Sequence, residues 1–198
     1  MSRLAGLLKQ GIEMNRRKSL ERVGLALLSA WVMPLQAQPA SSADASLRSI
    51  AVLEFELVDE QNNPLTKAAQ EVRLRNAALQ LQRELTLKKL YRVVDPTPSQ
   101  ALQRTLRAQQ EYLHRCDDCA EQIGKLLGVD LVMATWVQKV SELILNLNVQ
   151  IYDVKAQKVV FSKSVDMRGN DDVSWGRAVP YLVRDMAEKR ERNPRYGL

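Results

Sequence analysis

Leu143-Ile144-Leu145-Asn146-Leu147-Asn148-Val149-Gln150-Ile151-Tyr152 decides the fold of this chain. Leu143, Leu145, Leu147, Val149 and Ile151 alternate with Ile144, Asn146, Asn148, Gln150 and Tyr152. That is the period-two pattern of a strand with one buried face. A strand of this kind needs neighbours, and the sequence supplies one on each side. Val129 to Val137 (VDLVMATWV) is apolar on both faces, as expected inside a sheet. Val159, Phe161, Val165 and Met167 form the inward side of a following strand, interrupted by Lys163, and Lys155-Ala156-Gln157 is the turn between them. Three antiparallel strands in a meander follow from this, with Asn146, Asn148 and Gln150 as an amide stripe opposite the leucines.

Upstream, Ser49 to Leu57 (SIAVLEFEL) begins apolar on both faces and then alternates, which predicts a buried strand. Glu60-Gln61-Asn62-Asn63-Pro64 is a turn cluster. From Thr66 to Leu90 the spacing becomes helical, with Leu74, Ala78, Leu81 and Leu85 on one face. Tyr91 to Asp95 reads as a short strand stopped by Pro96 and Pro98. Ser99 to Tyr112 reads as a second helix with Leu102, Leu106 and Leu113 on one side. Ala120 to Leu127 is a third, ended by Gly128. Asp171 to Ser174 opens a last helix running to about Lys189, with acids where the helix dipole favours them. The order β-α-β-α-α-β-β-β-α predicts an α/β fold with a mixed, roughly five-stranded sheet, parallel in its first half through crossover helices. Residues 49–190 are expected to form one α/β domain, preceded by a flexible lead-in at 38–48 and followed by a solvated tail at 191–198.

The first 37 residues read as an export leader. Asn15-Arg16-Arg17-Lys18 is a basic n-region, Val23 to Leu35 an apolar run, and Ala37 a small residue suited to cleavage. The run is short and broken by Pro34, unlike the roughly 20 apolar residues of a membrane span. Met14 stands just before the n-region, so a start there gives a leader of ordinary length. Arg16-Arg17 with Leu20 partly matches a twin-arginine signal, but Ser19 stands where phenylalanine is usual, and ordinary secretion is favoured. No cysteine follows the apolar run, so neither a lipid anchor nor a stable membrane anchor after cleavage is expected. The expected location is periplasmic. The leader carries six basic and two acidic residues, +4 of the formal +6, which leaves the remainder near +2. Nucleic-acid binding therefore loses its electrostatic support, and no aromatic-interleaved basic stripe replaces it.

No motif names a reaction. There is no nucleophile elbow, glycine-rich phosphate loop or Walker lysine, and His114 is the sole histidine, beside a loop where such a side chain is ordinarily solvated. Glu54 and Glu56 lie on one face of the first strand, where alternating glutamates ordinarily meet solvent. Cys116-Asp117-Asp118-Cys119 is the only cysteine pair, and in an exported protein it reads first as a disulfide. A redox dithiol would need a stabilised thiolate. A first-turn position for Cys119 favours that, but Asp117 and Asp118 oppose it, so a structural staple is the preferred reading. A zinc site would need a second ligand pair, which is missing. No metal and no cofactor is expected.

Several segments together resemble a known family: Ile50 to Leu57, the cysteine pair, Asp130-Leu131-Val132, Trp136 to Ser141, Leu143 to Asn148, and Val165 to Asn170 with Ser174-Trp175. They are similar to the small exported proteins grouped as domains of unknown function 2380 and 3280, over roughly Ile50 to Arg184. Members are similar in organisation to the amino-terminal domain of TolB and to outer-membrane assembly and synthase-activator domains. The resemblance implies a non-enzymatic accessory or protein-binding role, with an envelope complex or a quinoprotein dehydrogenase system as partner. Trp136, Gln138, Asn146, Asn148, Arg168 and Trp175 are the candidate partner-binding residues. A thiol–disulfide redox protein using Cys116 and Cys119, and a small-ligand-binding domain, are the competing expectations.

Overall fold

A computed structural model describes residues 47–59, 61 and 63–198. The leader and most of the lead-in lie outside the described residues. Among those described, the elements run β1 (Ser49–Val52), β2 (Glu56–Asp59), α1 (Pro64–Leu87), β3 (Arg92–Val94), α2 (Gln100–Gln109), α3 (Cys119–Leu127), β4 (Leu131–Lys139), β5 (Ile144–Asp153), β6 (Lys158–Arg168) and α4 (Asp172–Arg192). Short 3-10 turns sit at Thr97–Ser99 and Leu113–Arg115. No helix among the described residues is long and apolar enough to cross a membrane.

The strands form one mixed sheet in the order β3-β1-β4-β5-β6, with β2 also alongside β4. β1 is parallel to β3 and β4, β2 is parallel to β4, and β4-β5-β6 is the antiparallel meander read from the sequence. The helix limits have local causes. The Asn63 side chain accepts from the Leu65 amide and Pro64 starts α1, where its missing N–H is no loss. Gly128, at φ +63, ends α3 in the left-handed region. The Asp171 carboxylate caps α4 by accepting from the Ser174 amide at 2.8 Å.

The main core lies between the sheet and the pair α1 and α4. Ile50, Val52, Leu131, Met133, Val137, Leu145, Leu147, Val149 and Ile151 meet Leu81, Leu85, Val179, Leu182, Val183 and Met186, all fully buried. Burying each of these side chains stabilises the fold by roughly 1.5–3 kcal/mol. A smaller core covers the other face of β1 and the start of β4. It is built from Ala51, Leu53, Leu106, Leu113, Cys119, Ile123, Val129 and Val132. Gly124 allows α3 this close approach, because a Cβ there would collide with methyl groups of Val132 and Val154.

Five expectations change. The strand predicted over Ser49 to Leu57 is broken: Val52 pairs with Met133 and Glu56 with Trp136, so Leu53-Glu54-Phe55 opposes only Ala134-Thr135. The Thr135 hydroxyl donates to the Leu53 carbonyl at 3.0 Å across this bulge. A bulge reverses the side-chain phase, so Phe55 joins the main core while Glu56 turns to the opposite face. A second bulge, at Val160, puts Val159 on the surface, since Ile151 pairs with Phe161 and Tyr152 with Val159. Leu143 precedes β5 and is exposed rather than inward, and the predicted second helix stops at Gln109, leaving Leu113 in the 3-10 turn. The 191–198 segment is tied down: Tyr196 packs edge-on against Phe161 at 5.2 Å, and Arg190 bonds the Tyr196 carbonyl and the buried Tyr91 hydroxyl.

Candidate functional site

Of the helices on the second face of the sheet, α3 alone reaches past β4, and only to the end of β5, where the Tyr152 hydroxyl donates to Glu121 at 3.3 Å. Beyond that contact, the face is polar and bare, and its rows follow from the register. Trp136 lies beside Asn148 and then Ser164; Gln138 lies beside Asn146 and then Asp166; Ala134 lies beside Gln150 and then Ser162. Gln138, Ser162, Ser164, Asp166 and Arg168 are exposed, while Asn146, Asn148 and Gln150 are half-buried. The Asn146 amide donates to Asp166 at 2.6 Å and that of Asn148 to the Asn146 carbonyl at 3.0 Å. Five sequence-derived candidates thus share one surface: Trp136, Gln138, Asn146, Asn148 and Arg168. Trp175 does not. It is 3 % exposed, part of the main core, and donates its indole N–H to Asn170 at 2.9 Å. Its position one turn into α4 turns it under the sheet, so it leaves the contact set.

An apolar tip adjoins this polar face. Val140, Leu143 and Ile144, at the β4–β5 turn, are all exposed, Leu143 at 72 %. The tip is held in place. Ser141 Oγ accepts from the Leu143 and Ile144 amides, and Asn170 and Gly169 donate their amides to the Glu142 and Leu143 carbonyls. The Glu142 carboxylate accepts from Lys139 at 2.6 Å and from Asn170 at 2.8 Å, which holds it below the ordinary glutamate range. Burial alone would lower Lys139, but hydrogen bonds to Glu142 and Asp59 raise it above the ordinary lysine value. Sequence reading missed the tip because it placed Leu143 with the inward set; the short Ser-Glu linkage after Val140 was the available signal.

The boundary between the covered and bare halves is a packed cluster. The His114 ring stacks on Trp136, centroids 4.2 Å apart and planes 4° from parallel. His114 Nδ1 lies 2.7 Å from Glu56 Oε2, and the Leu113 amide donates to Glu56 Oε1 at 2.7 Å. Arg107 stands 3.7 Å from the same carboxylate. Glu56 and His114 side chains are 9 % and 7 % exposed, so neither is the solvated group expected from the sequence. Among the described residues no serine, threonine or cysteine side chain hydrogen-bonds to His114 or Glu56, and the cluster acts as a latch for the 112–115 segment. The latch fixes the indole of Trp136 at the rim of the bare face.

Next to it, Cys116 and Cys119 are disulfide-bonded, with Cα atoms 5.5 Å apart. Cys119 is fully buried and Cys116 half-buried. The bond ties the 3-10 turn to the first residue of α3. Asp118 approaches both sulfurs within 4.8 Å, but bonded sulfurs offer a metal no thiolate.

Residues 48–186 match the family model DUF3280, described as "Protein of unknown function (DUF2380)". No curated protein matches the chain. Among solved structures, the LpoB C-terminal domain from Salmonella enterica is similar at 17 % identity and TM-score 0.41, over 61 % of this chain and 82 % of that one. The PelC dodecamer from Paraburkholderia phytofirmans gives 12 % and 0.43 over 74 % and 92 %. TolB from Acinetobacter baumannii gives 9 % and 0.41 over 75 % of this chain and 29 % of that one. Likenesses at this level assign no function.

Proposed function

We propose that this chain, which belongs to the DUF3280 family of proteins of unknown function, is a non-enzymatic accessory protein of the bacterial envelope. It binds a protein partner through the bare half of its sheet and the adjoining hairpin tip. The observation that carries this reading is the missing layer: α2 and α3 cover β1 and the start of β4, α3 reaches β5 only at Tyr152 through Glu121, and no helix among the described residues covers Asn146, Asn148 or the outer strand β6 on that side. A firmly held apolar tip beside a polar platform suits an interface with an apolar centre and a hydrogen-bonding rim. Leu143 and Ile144 supply the centre, flanked by Trp136, Gln138, Asn146, Asn148 and Arg168. On this reading residues 1–37 act as an export leader that directs the chain to the periplasm, with cleavage near Ala37. A quinoprotein dehydrogenase system is the partner toward which the family resemblance points.

The test is a photo-crosslinking residue at Leu143 in cells, with the same residue at exposed Leu79 on α1 as control. A discrete adduct from position 143 alone is the expected result, and equal labelling from both positions contradicts the reading. A second reading, thiol–disulfide exchange, draws on the position of Cys119 at the start of a helix and the partial exposure of Cys116. A reduction potential below about −300 mV excludes it, and one near those of strong oxidants supports it.

A further inference from the structure

The sheet is a strand short beside β2. β3 pairs with β1 only at Ser49 to Ala51, whereas β2 continues the same line along β4 at Glu56 to Asp59 and has no strand on its outer side among the described residues. A cleft of about 560 Å³ occupies that place, between β2, the first half of α1 and the Glu111-Tyr112 connector. Its helical wall is Asn63, Lys67, Gln70, Glu71 and Leu74, whose three- and four-residue spacing puts them on one side of α1.

Gln70 is the anomaly in this wall. It is 2 % exposed, and its side-chain Nε2 has no hydrogen-bond partner among the described residues. Buried amides almost always find one, and an unpaired donor is destabilising. Further along the same helix the buried positions are Ala77, Ala78, Leu81 and Leu85, so an apolar residue would serve the fold better at 70. The donor calls for an acceptor from outside the described chain.

The edge beside β2 also differs from that of β6, at the far side of the sheet. β6 carries a bulge at Val160 and an inward-pointing lysine, Lys163, paired with Asp185, both devices that discourage strand addition. β2 contains neither lysine nor proline. We propose that this notch receives an extended peptide segment of a partner protein, which adds as a strand along β2 and accepts a hydrogen bond from Gln70 Nε2 as that closed-off amide turns toward the cleft. Strand addition of this kind takes affinity from backbone bonds and specificity from alternate side chains. Leu57, Leu74 and Tyr112 offer an apolar seat. Glu71 and Glu111 are exposed and in no ion pair among the described residues, against one cation, Lys67, while Asp59 is already paired with Lys139 at 3.1 Å. The segment therefore carries an apolar residue and a basic residue. This site lies apart from the bare sheet face and does not depend on it.

The experiment selects random dodecapeptides on phage against the full chain. Enriched sequences are then measured by fluorescence anisotropy with the wild type, Gln70→Leu and Asn148→Arg. The expected peptides pair apolar with basic positions. They bind Gln70→Leu at least tenfold more weakly, bind Asn148→Arg unchanged, and lose binding when alternate backbone amides are N-methylated. Gln70→Leu itself should melt at the wild-type temperature or above it, which separates lost binding from lost folding. Failure to enrich any peptide overturns the proposal, as does binding that survives both Gln70→Leu and N-methylation. A Gln70→Leu variant that melts lower with binding intact makes Gln70 structural and also overturns it. A dimer in sedimentation velocity that Gln70→Leu dissociates assigns the notch to a second copy of the chain instead.

Discussion

The two faces of β5 come from one ten-residue strand and behave oppositely. Leu145, Leu147, Val149 and Ile151 are sealed under α1 and α4, while Asn146, Asn148 and Gln150, one residue out of phase, look onto a face that no helix covers. The difference is one of covering layers. The long helices α1 and α4 cover the sheet on one side, whereas α2 and α3 are short and on the other side reach β5 only at Tyr152. Stability is therefore concentrated on the first face, and the second is left available for contact.

The largest effects should come from the sealed face. Leu147→Ala leaves a cavity in a fully buried site and should destabilise by about 2–5 kcal/mol in urea unfolding. A change within error would mean that the faces are assigned backwards. Lys139→Ala should cost roughly 3 kcal/mol, because it strands Asp59, 8 % exposed, without its cation; the check is that Lys139→Ala with Asp59→Ala recovers part of the loss.

Smaller effects belong to the disulfide and to acid. The loop closed by Cys116 and Cys119 spans three residues in sequence, so replacing both with serine should cost no more than about 2 kcal/mol and leave a cooperative transition. A chain that no longer folds would give the bond a larger role than a local staple. Asp185 faces Lys163 and Lys189. Burial alone would raise it, but the two lysines outweigh burial and hold its carboxyl below the ordinary aspartate range. A depressed folded value means that this contribution is complete above the ordinary aspartate range and is lost as pH falls through the folded value. Melting temperatures between neutral pH and about pH 3 should thus fall less steeply for Asp185→Asn than for the wild type, and parallel curves would show that the pair does not matter.

How much of this could be read in advance depended on distance along the chain. β5 was legible because alternation is local, as were Asn63-Pro64 at the start of α1 and Gly128 at the end of α3. The bulges were not, because Leu53 to Phe55 and Val160 look like ordinary strand residues until a partner strand fixes the count. That single missing phase change turned Glu56 from a buried anchor into a supposed solvent group. His114 was misread for a related reason: its partners Glu56 and Trp136 are brought to it only by the parallel pairing of β2 with β4. The Tyr91 and Arg190 contacts that fix the C-terminal segment are likewise formed by residues 99 positions apart.

At the small end of the scale, Asn146→Ala and Asn148→Ala should change stability by less than about 1 kcal/mol, since each loses a surface cross-strand or local bond. The bare face should matter for contact and not for folding. The most direct measurement is the in-cell crosslink from position 143 repeated in an Asn148→Arg background, alongside urea unfolding of the purified variant. The account predicts loss of the discrete adduct with an unfolding midpoint close to that of the parent. An adduct of undiminished yield from Asn148→Arg would contradict it.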